Sequence, residues 1–182
     1  MAQSLFVVRV PEVEPWVAQL RDRFDPSAKR GLGAHVTVLY SRLPPDRIDR
    51  TVIGLVMAAA SSVAPFGYQV TRFGRFPGTL YLAVAPSAPF LSLHEKLLTA
   101  LGAPASSTKE LQPLVPHISI VRKSESENRD VETELALVLA RHGPISCACR
   151  EIVLLESSSG MWRPVQEFVL SGGTGNPSPE PS

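Results

Sequence analysis

From Leu5 to Val10 apolar and polar positions alternate weakly, the two-residue rhythm of a strand, whereas Val13, Trp16, Val17, Leu20 and Phe24 recur at helical spacing. The chain thus opens with a strand and a helix over 11–24. A loop carrying Lys29, Arg30, Gly31 and Gly33 leads into a second strand from Ala34 to Tyr40, which Pro44 and Pro45 stop. Asp46 is the expected cap of a helix running to Ser62. Two strands follow, Phe66 to Phe76 and Thr79 to Ala85, joined by a turn at Pro77 and Gly78. Phe90, Leu93, Leu97, Leu98 and Leu101 mark another amphipathic helix, closed by Gly102. After a loop from Ala103 to Pro116 come a strand over 117–122, a helix from Asn128 to Arg141 ended by Gly143 and Pro144, and strands near 145–156 and 162–170.

The second half repeats the first. His35 and His117 are 82 residues apart, as are Thr37 and Ser119, and the helix and strands after each motif follow at nearly the same offset. Two strand-helix-strand-helix-strand units, paired about a pseudo-twofold axis, would bring equivalent strands together across a cleft. The expectation is an α+β, bilobed, duplicated fold with two small, mainly antiparallel sheets, outer helices and a central cleft. Residues 1–172 form one such domain, and the Gly-, Pro- and Ser-rich end, 173–182, is expected to be a disordered tail.

Side chains two apart on a strand share a face, so His35 projects beside Thr37 and His117 beside Ser119, while Val36, Val38, Ile118 and Ile120 face the other way. Two imidazoles and two hydroxyls on symmetric strands suit phosphoryl transfer without a metal. One neutral histidine can remove a proton, one protonated histidine can supply a proton, and the hydroxyls can donate to phosphate oxygens. A single His-x-Thr on a strand ordinarily means little; the weight lies in two of them in register. Which histidine is acid and which is base is symmetric in the sequence.

Composition narrows the partner. The balance of 18 Lys and Arg against 17 Asp and Glu, net +1, lacks the positive excess of a protein that grips long nucleic acid, so a nucleotide or one RNA end fits better. No segment has the ~20 apolar residues of a membrane span, and the short N-terminal apolar run reads as a strand rather than a signal peptide. Cys147 and Cys149, the only cysteines, would lie on one strand face about 6.6 Å apart, poorly placed for a disulfide and too few for a metal site. The chain is expected to be cytoplasmic, monomeric and free of cofactors. It has no Walker sequence, no His-Glu-x-x-His and no nucleophile-elbow serine.

Ala-His-Val-Thr-Val-Leu-Tyr at 34–40 and Pro-His-Ile-Ser-Ile-Val-Arg at 116–122 resemble the paired His-x-Thr/Ser motifs of the two-histidine (2H) phosphoesterase superfamily, in particular its bacterial 2'-5' RNA ligase-like members. The resemblance extends to Gly74-Arg75-Phe76-Pro77-Gly78, Leu80-Tyr81-Leu82 and the 151–156 strand, and covers most of 5–170. It implies a cyclic phosphodiesterase-like site with His35 and His117 as the catalytic pair and Thr37 and Ser119 as phosphate-positioning hydroxyls. Ser119 is the less usual residue at its position but keeps the hydroxyl. Ligation and cleavage of a 2'-5' linkage are two directions of one transesterification, and hydrolysis of a 2',3'-cyclic phosphate uses the same groups.

Arg122 could clamp a phosphate with its forked guanidinium, against the plain alternative of an exposed strand end; Tyr40 holds the corresponding place in the first motif. Tyr40, Phe76, Tyr81 and Trp162 are candidates to stack a base, although strand aromatics are more often core. His94 and His142, on helices, read as structural. The Ala103–Pro116 loop could close over a substrate. Two rival readings stand beside the enzyme: a module that binds a nucleotide or RNA end without chemistry, and a phosphoesterase for a cyclic-phosphate metabolite.

Overall fold

The computed structural model describes residues 3–41, 43–102, 114–122 and 128–173. Its main elements run β1 (Ser4–Arg9), α1 (Glu14–Phe24), β2 (His35–Ser41), α2 (Arg50–Ser61), β3 (Phe66–Phe76), β4 (Thr79–Ala85), α3 (Ala88–Leu101), β5 (His117–Val121), α4 (Asn128–His142), β6 (Ile145–Cys149), β7 (Glu151–Glu156) and β8 (Arg163–Val169). One cap differs from expectation. Pro44 and Pro45 lead into a short 3-10 turn, Pro45–Arg47, that takes up Asp46, so Asp49 caps α2 instead and accepts a 2.9 Å bond from the Val52 N–H. Most of the expected 103–116 loop, and the tail beyond Gly173, lie outside the described residues. The N–H groups of Gly172 and Gly173 bond to the carbonyls of Val63 and Ser61.

The strands form one eight-stranded sheet in the order β6-β3-β4-β5-β2-β1-β7-β8, and every neighbouring pair is antiparallel. The two small sheets expected from the repeat are therefore the halves β6-β3-β4-β5 and β2-β1-β7-β8 of a continuous sheet. Motif strands β2 and β5 would otherwise each leave an open edge of unpaired backbone groups; pairing them with each other satisfies those groups. The halves also exchange strands. β3, from the first repeat, pairs with β4 of the second, while β7, from the second, pairs with β1 of the first.

The helices cover one face. Val36, Val38, Ile118 and Ile120 share a core with Val17 and Leu20 of α1, Val56 of α2, Phe90, Leu93 and Leu97 of α3, and Val131 and Leu135 of α4. A smaller cluster of Leu5, Val7, Leu32, Val153, Leu155 and Trp162 lies apart from it. Cys147 and Cys149 are free and buried, and burial pushes their thiols up to about 11 and about 12, so both are neutral at ordinary pH. Among the described residues no helix is long and apolar enough to cross a membrane.

Candidate active site

The seam between β2 and β5 assembles the predicted residues. Val36 lies opposite Ile118, and counting one residue each way sets His35 across from Ser119 and Thr37 across from His117. Cross-strand partners point to the same side of a sheet, so the four groups form a compact square on the face away from the helices. Directly opposed side chains there are about 5 Å apart at Cβ, and the diagonal partners His35 and His117 about 7–8 Å.

Both histidines are oriented in the same way. The Nδ1 of His35 lies 2.8 Å from the Gly33 carbonyl and that of His117 lies 2.7 Å from the Val115 carbonyl, each two residues before the ring. A carbonyl can only accept, so Nδ1 carries the proton in both rings and Nε2 is left for the chemistry. Their surroundings differ. His35 is buried, and burial lowers it to about 4, aided by the charges of Arg21 and Arg122. His117 is half-buried and is also lowered by burial, with Arg122 adding to the effect. Its ring meets Phe76 edge-on and Tyr81 at a tilt, each with centroids 5.1 Å away, and those two aromatics stack at 4.4 Å. Gly74, across from Tyr81, makes this possible: a Cβ there would lie 2.5 Å from the phenol ring.

Each motif strand contains one extra residue. Phe6 and Val7 of β1 pair with Leu39 and Thr37, leaving Val38 as a bulge; Leu80 and Tyr81 of β4 pair with Val121 and Ser119, leaving Ile120 as a bulge. The bulges fall at equivalent positions, three residues after each histidine, and each reverses the alternation beyond it. Tyr40 and Arg122 therefore come round to the face of the histidines, where uninterrupted alternation would have turned them to the helices. Arg122 reaches Ser119, its guanidinium donating to Oγ at 3.3 Å, and its backbone N–H bonds to the Phe24 carbonyl. Tyr40 is exposed. His94, on α3, places its Nδ1 2.7 Å from the Val38 carbonyl, at the bulge itself. His142 stacks on Trp16. Trp162, which was a stacking candidate, is only 8% exposed, packs in the smaller apolar cluster and lies under the Arg30 guanidinium.

The reading from sequence passed over the groups that hold His35 in place. Arg21 and Asp25 form a buried pair at 2.9 Å, and Arg21 also donates to the Leu32 carbonyl at 2.8 Å. Glu14 accepts from the Ala34 N–H, so α1 fixes the backbone on both sides of the Gly33 carbonyl that orients the imidazole. The signal was present: Arg21 sits on the apolar stripe of α1 beside Val17, Leu20 and Phe24, where a charge has no reason to be unless it is paired. Arg9 was missed too. It lies directly across from His35 and bonds to Glu151 and Glu167. Among the described residues, no three His, Cys, Asp or Glu side chains gather as a metal site.

A family model described as the 2'-5' RNA ligase superfamily matches residues 10–160. No curated protein matches the sequence. Among solved structures, the E. coli LigT complexed with 3'-AMP is similar with TM-score 0.62 and 18% identity over 93% of this chain and 98% of that one. TT0787 of Thermus thermophilus is similar with TM-score 0.65 and 18% identity over 93% and 98%. A structure described as a phosphoesterase gives TM-score 0.59 and 17% identity over 94% and 99%. At these identities the likeness establishes the fold.

Proposed function

The chain belongs to the 2'-5' RNA ligase superfamily, and from that premise we propose that it is a 2H-type phosphodiesterase acting on RNA-type phosphates. It would hydrolyse 2',3'-cyclic phosphates, or cleave or join 2'-5' linkages, with His35 and His117 as its acid-base pair. The observation that carries the reading is the square of two imidazoles and two hydroxyls at the β2-β5 seam, with each ring held through Nδ1 so that Nε2 is available. E. coli LigT has been crystallised with 3'-AMP, with ATP and with NADP+, which supports a nucleotide as the ligand class.

The geometry suggests the division of labour. Buried His35 stays neutral down to about 4 and serves as the base. It takes a proton from water while the water oxygen attacks the cyclic phosphorus. His117, less buried and open to solvent, serves as the acid and gives its Nε2 proton to the departing ribose oxygen as that P–O bond breaks. The product is a phosphomonoester with a free neighbouring hydroxyl. Thr37, Ser119 and Arg122 donate to the non-bridging oxygens, which gain charge in the transition state. For 2'-5' cleavage a ribose hydroxyl replaces water as the attacking group, and ligation runs that step backwards. The square offers the same groups to a cyclic-phosphate metabolite, so the substrate panel includes both kinds.

The test is turnover of 2',3'-cyclic mononucleotides, 2'-5' dinucleotides and a cyclic-phosphate metabolite such as one built on ADP-ribose, with chelator present. Because removing a general acid or base costs about 10²–10⁴-fold, His35→Ala and His117→Ala should each lose at least that much on the preferred substrate. Full activity in either variant overturns the assignment. Nucleotide binding without turnover on any substrate favours a binding module.

A further inference from the structure

A third bulge lies on β3. Val70 pairs with Val84 and Arg72 with Ala83, which leaves Thr71 as an extra residue. Val70 is buried in the core beneath the helices, so unbroken alternation would send Arg72 there as well; the bulge turns it to the face of the histidines. The pairing agrees from the other side. His117 lies across from Ala83 and Ala83 across from Arg72, and cross-strand partners share a face. Two residues further along β3, Gly74 lies across from Tyr81, whose ring meets that of His117, while the intervening Arg75 turns the other way and bonds to Glu132 of α4. Arg72 thus stands in one cross-strand row with His117, two strand spacings or about 10 Å away at Cα. The residue between them, Ala83, carries only a methyl group, so the row is open above it.

Charge marks this half of the sheet. Strands β3, β4, β5 and β6 contain no Asp or Glu, whereas the other half carries Glu151, Glu156 and Glu167. There Arg9, across from His35, is already bonded to Glu151 and Glu167. Arg72 is exposed and, like Arg122, has no carboxylate within bridging distance among the described residues. Two further charges approach this half elsewhere. Glu12 comes up to Tyr68 and Cys147, whose side chains belong to the core under the helices. Arg150 follows Cys149, the partner of Phe66, and so lies roughly 20 Å from Arg72 along β3. A free guanidinium on a surface without carboxylates suits a phosphate, which its fork meets with two parallel hydrogen bonds.

We propose that Arg72 forms a second phosphate site: when the terminal phosphate of an RNA chain lies at the His35–His117 pair, Arg72 takes the next phosphate, one nucleotide back. This deepens the phosphodiesterase reading and rests on it for the first phosphate. It makes the substrate an RNA end, with a phosphate on each side of its last ribose, rather than a lone nucleoside cyclic phosphate. The test reads binding, so it stands apart from turnover. Adenosine 3'-monophosphate, adenosine 3',5'-bisphosphate and the dinucleotide ApAp are titrated calorimetrically into the wild type, Arg72→Met and Arg72→Lys; Arg72 is exposed, so neither change enters the core. The wild type should bind the bisphosphate and the dinucleotide at least about 10-fold more tightly than the monophosphate. Arg72→Met should abolish that advantage while binding the monophosphate within about twofold of wild type, and Arg72→Lys should keep part of it, because the ammonium retains the charge and loses the fork. Equal affinity of the wild type for all three probes overturns the proposal. So does an advantage that Arg72→Met retains, or parallel weakening of every probe. An advantage for the bisphosphate that the dinucleotide lacks overturns the RNA end in favour of a lone 5'-phosphate. No turnover on the substrate panel above, with the second-phosphate advantage intact, overturns the phosphodiesterase reading and leaves the second site standing.

Discussion

The two histidines make the same hydrogen bond in different electrostatic surroundings, and that contrast predicts a pH dependence. In the proposed mechanism His35 must be neutral, which holds above about 4, and His117 must be protonated, which is lost as pH rises through a value below its ordinary 6.5. On those values kcat/KM for a cyclic nucleotide should peak between about 4 and 6.5, on the acid side of neutral. Arg122 depresses both rings, so Arg122→Met should move both limbs of the profile to higher pH. It should also lower the peak by about 100-fold, the scale of losing one donor to a developing oxyanion. A pH–rate profile checks both effects. Limbs that stay in place while the rate falls would show that Arg122 contributes contacts alone.

At the level of elements, the motif strands were legible because period-2 alternation places His35 with Thr37 and His117 with Ser119 whatever the rest of the chain does. The bulges were not, because an extra residue changes the register with the neighbouring strand, which a single strand's sequence does not contain. A trace of them is there nonetheless. Val38-Leu39 and Ile120-Val121 are adjacent apolar pairs at equivalent places, each breaking the alternation one step before Tyr40 or Arg122. The clamp on His35 escaped for a related reason, since Arg21, paired with Asp25, and Glu14 meet the 32–34 segment only after α1 has packed. Replacing one partner of a buried pair leaves the other charged and unsatisfied, at a cost of about 3–5 kcal/mol. Arg21→Met should show a loss of that order in urea unfolding, and kcat should fall more than KM changes, because the Gly33 carbonyl that orients His35 loses its support. A stable variant with wild-type kcat would show that Glu14 alone holds the segment.

For the whole molecule, the repeat announced a bilobed arrangement, but nothing in the spacing showed that β3 and β7 would trade places. Each half-sheet contains strands from both repeats, so neither repeat can complete its own sheet. At the other end of the fold a single residue, Arg150, carries the chain from β6, at one edge of the sheet, to β7, next to the other. The protein should therefore unfold as one unit. Fragments 1–77 and 78–182 should each lack a cooperative thermal transition when made separately, and recover one when mixed, as followed by circular dichroism. A cooperative transition in either fragment alone would show that its strands pair without their exchanged neighbours.

The exchange also bears on ancestry. A single ancestral repeat would have had an unsatisfied sheet and half of the imidazole–hydroxyl square, and a second copy of itself would have supplied what was missing in both. Such a homodimer would have carried two identical histidines across its twofold axis, bound by symmetry to remain alike. Fusion into one gene removes that constraint. Once the two copies are encoded separately, one motif can keep Thr37 and Tyr40 while the other takes Ser119 and Arg122, and one imidazole can be buried while its counterpart stays near solvent. Duplication in this reading is what allowed an ambidextrous site to acquire a left and a right hand.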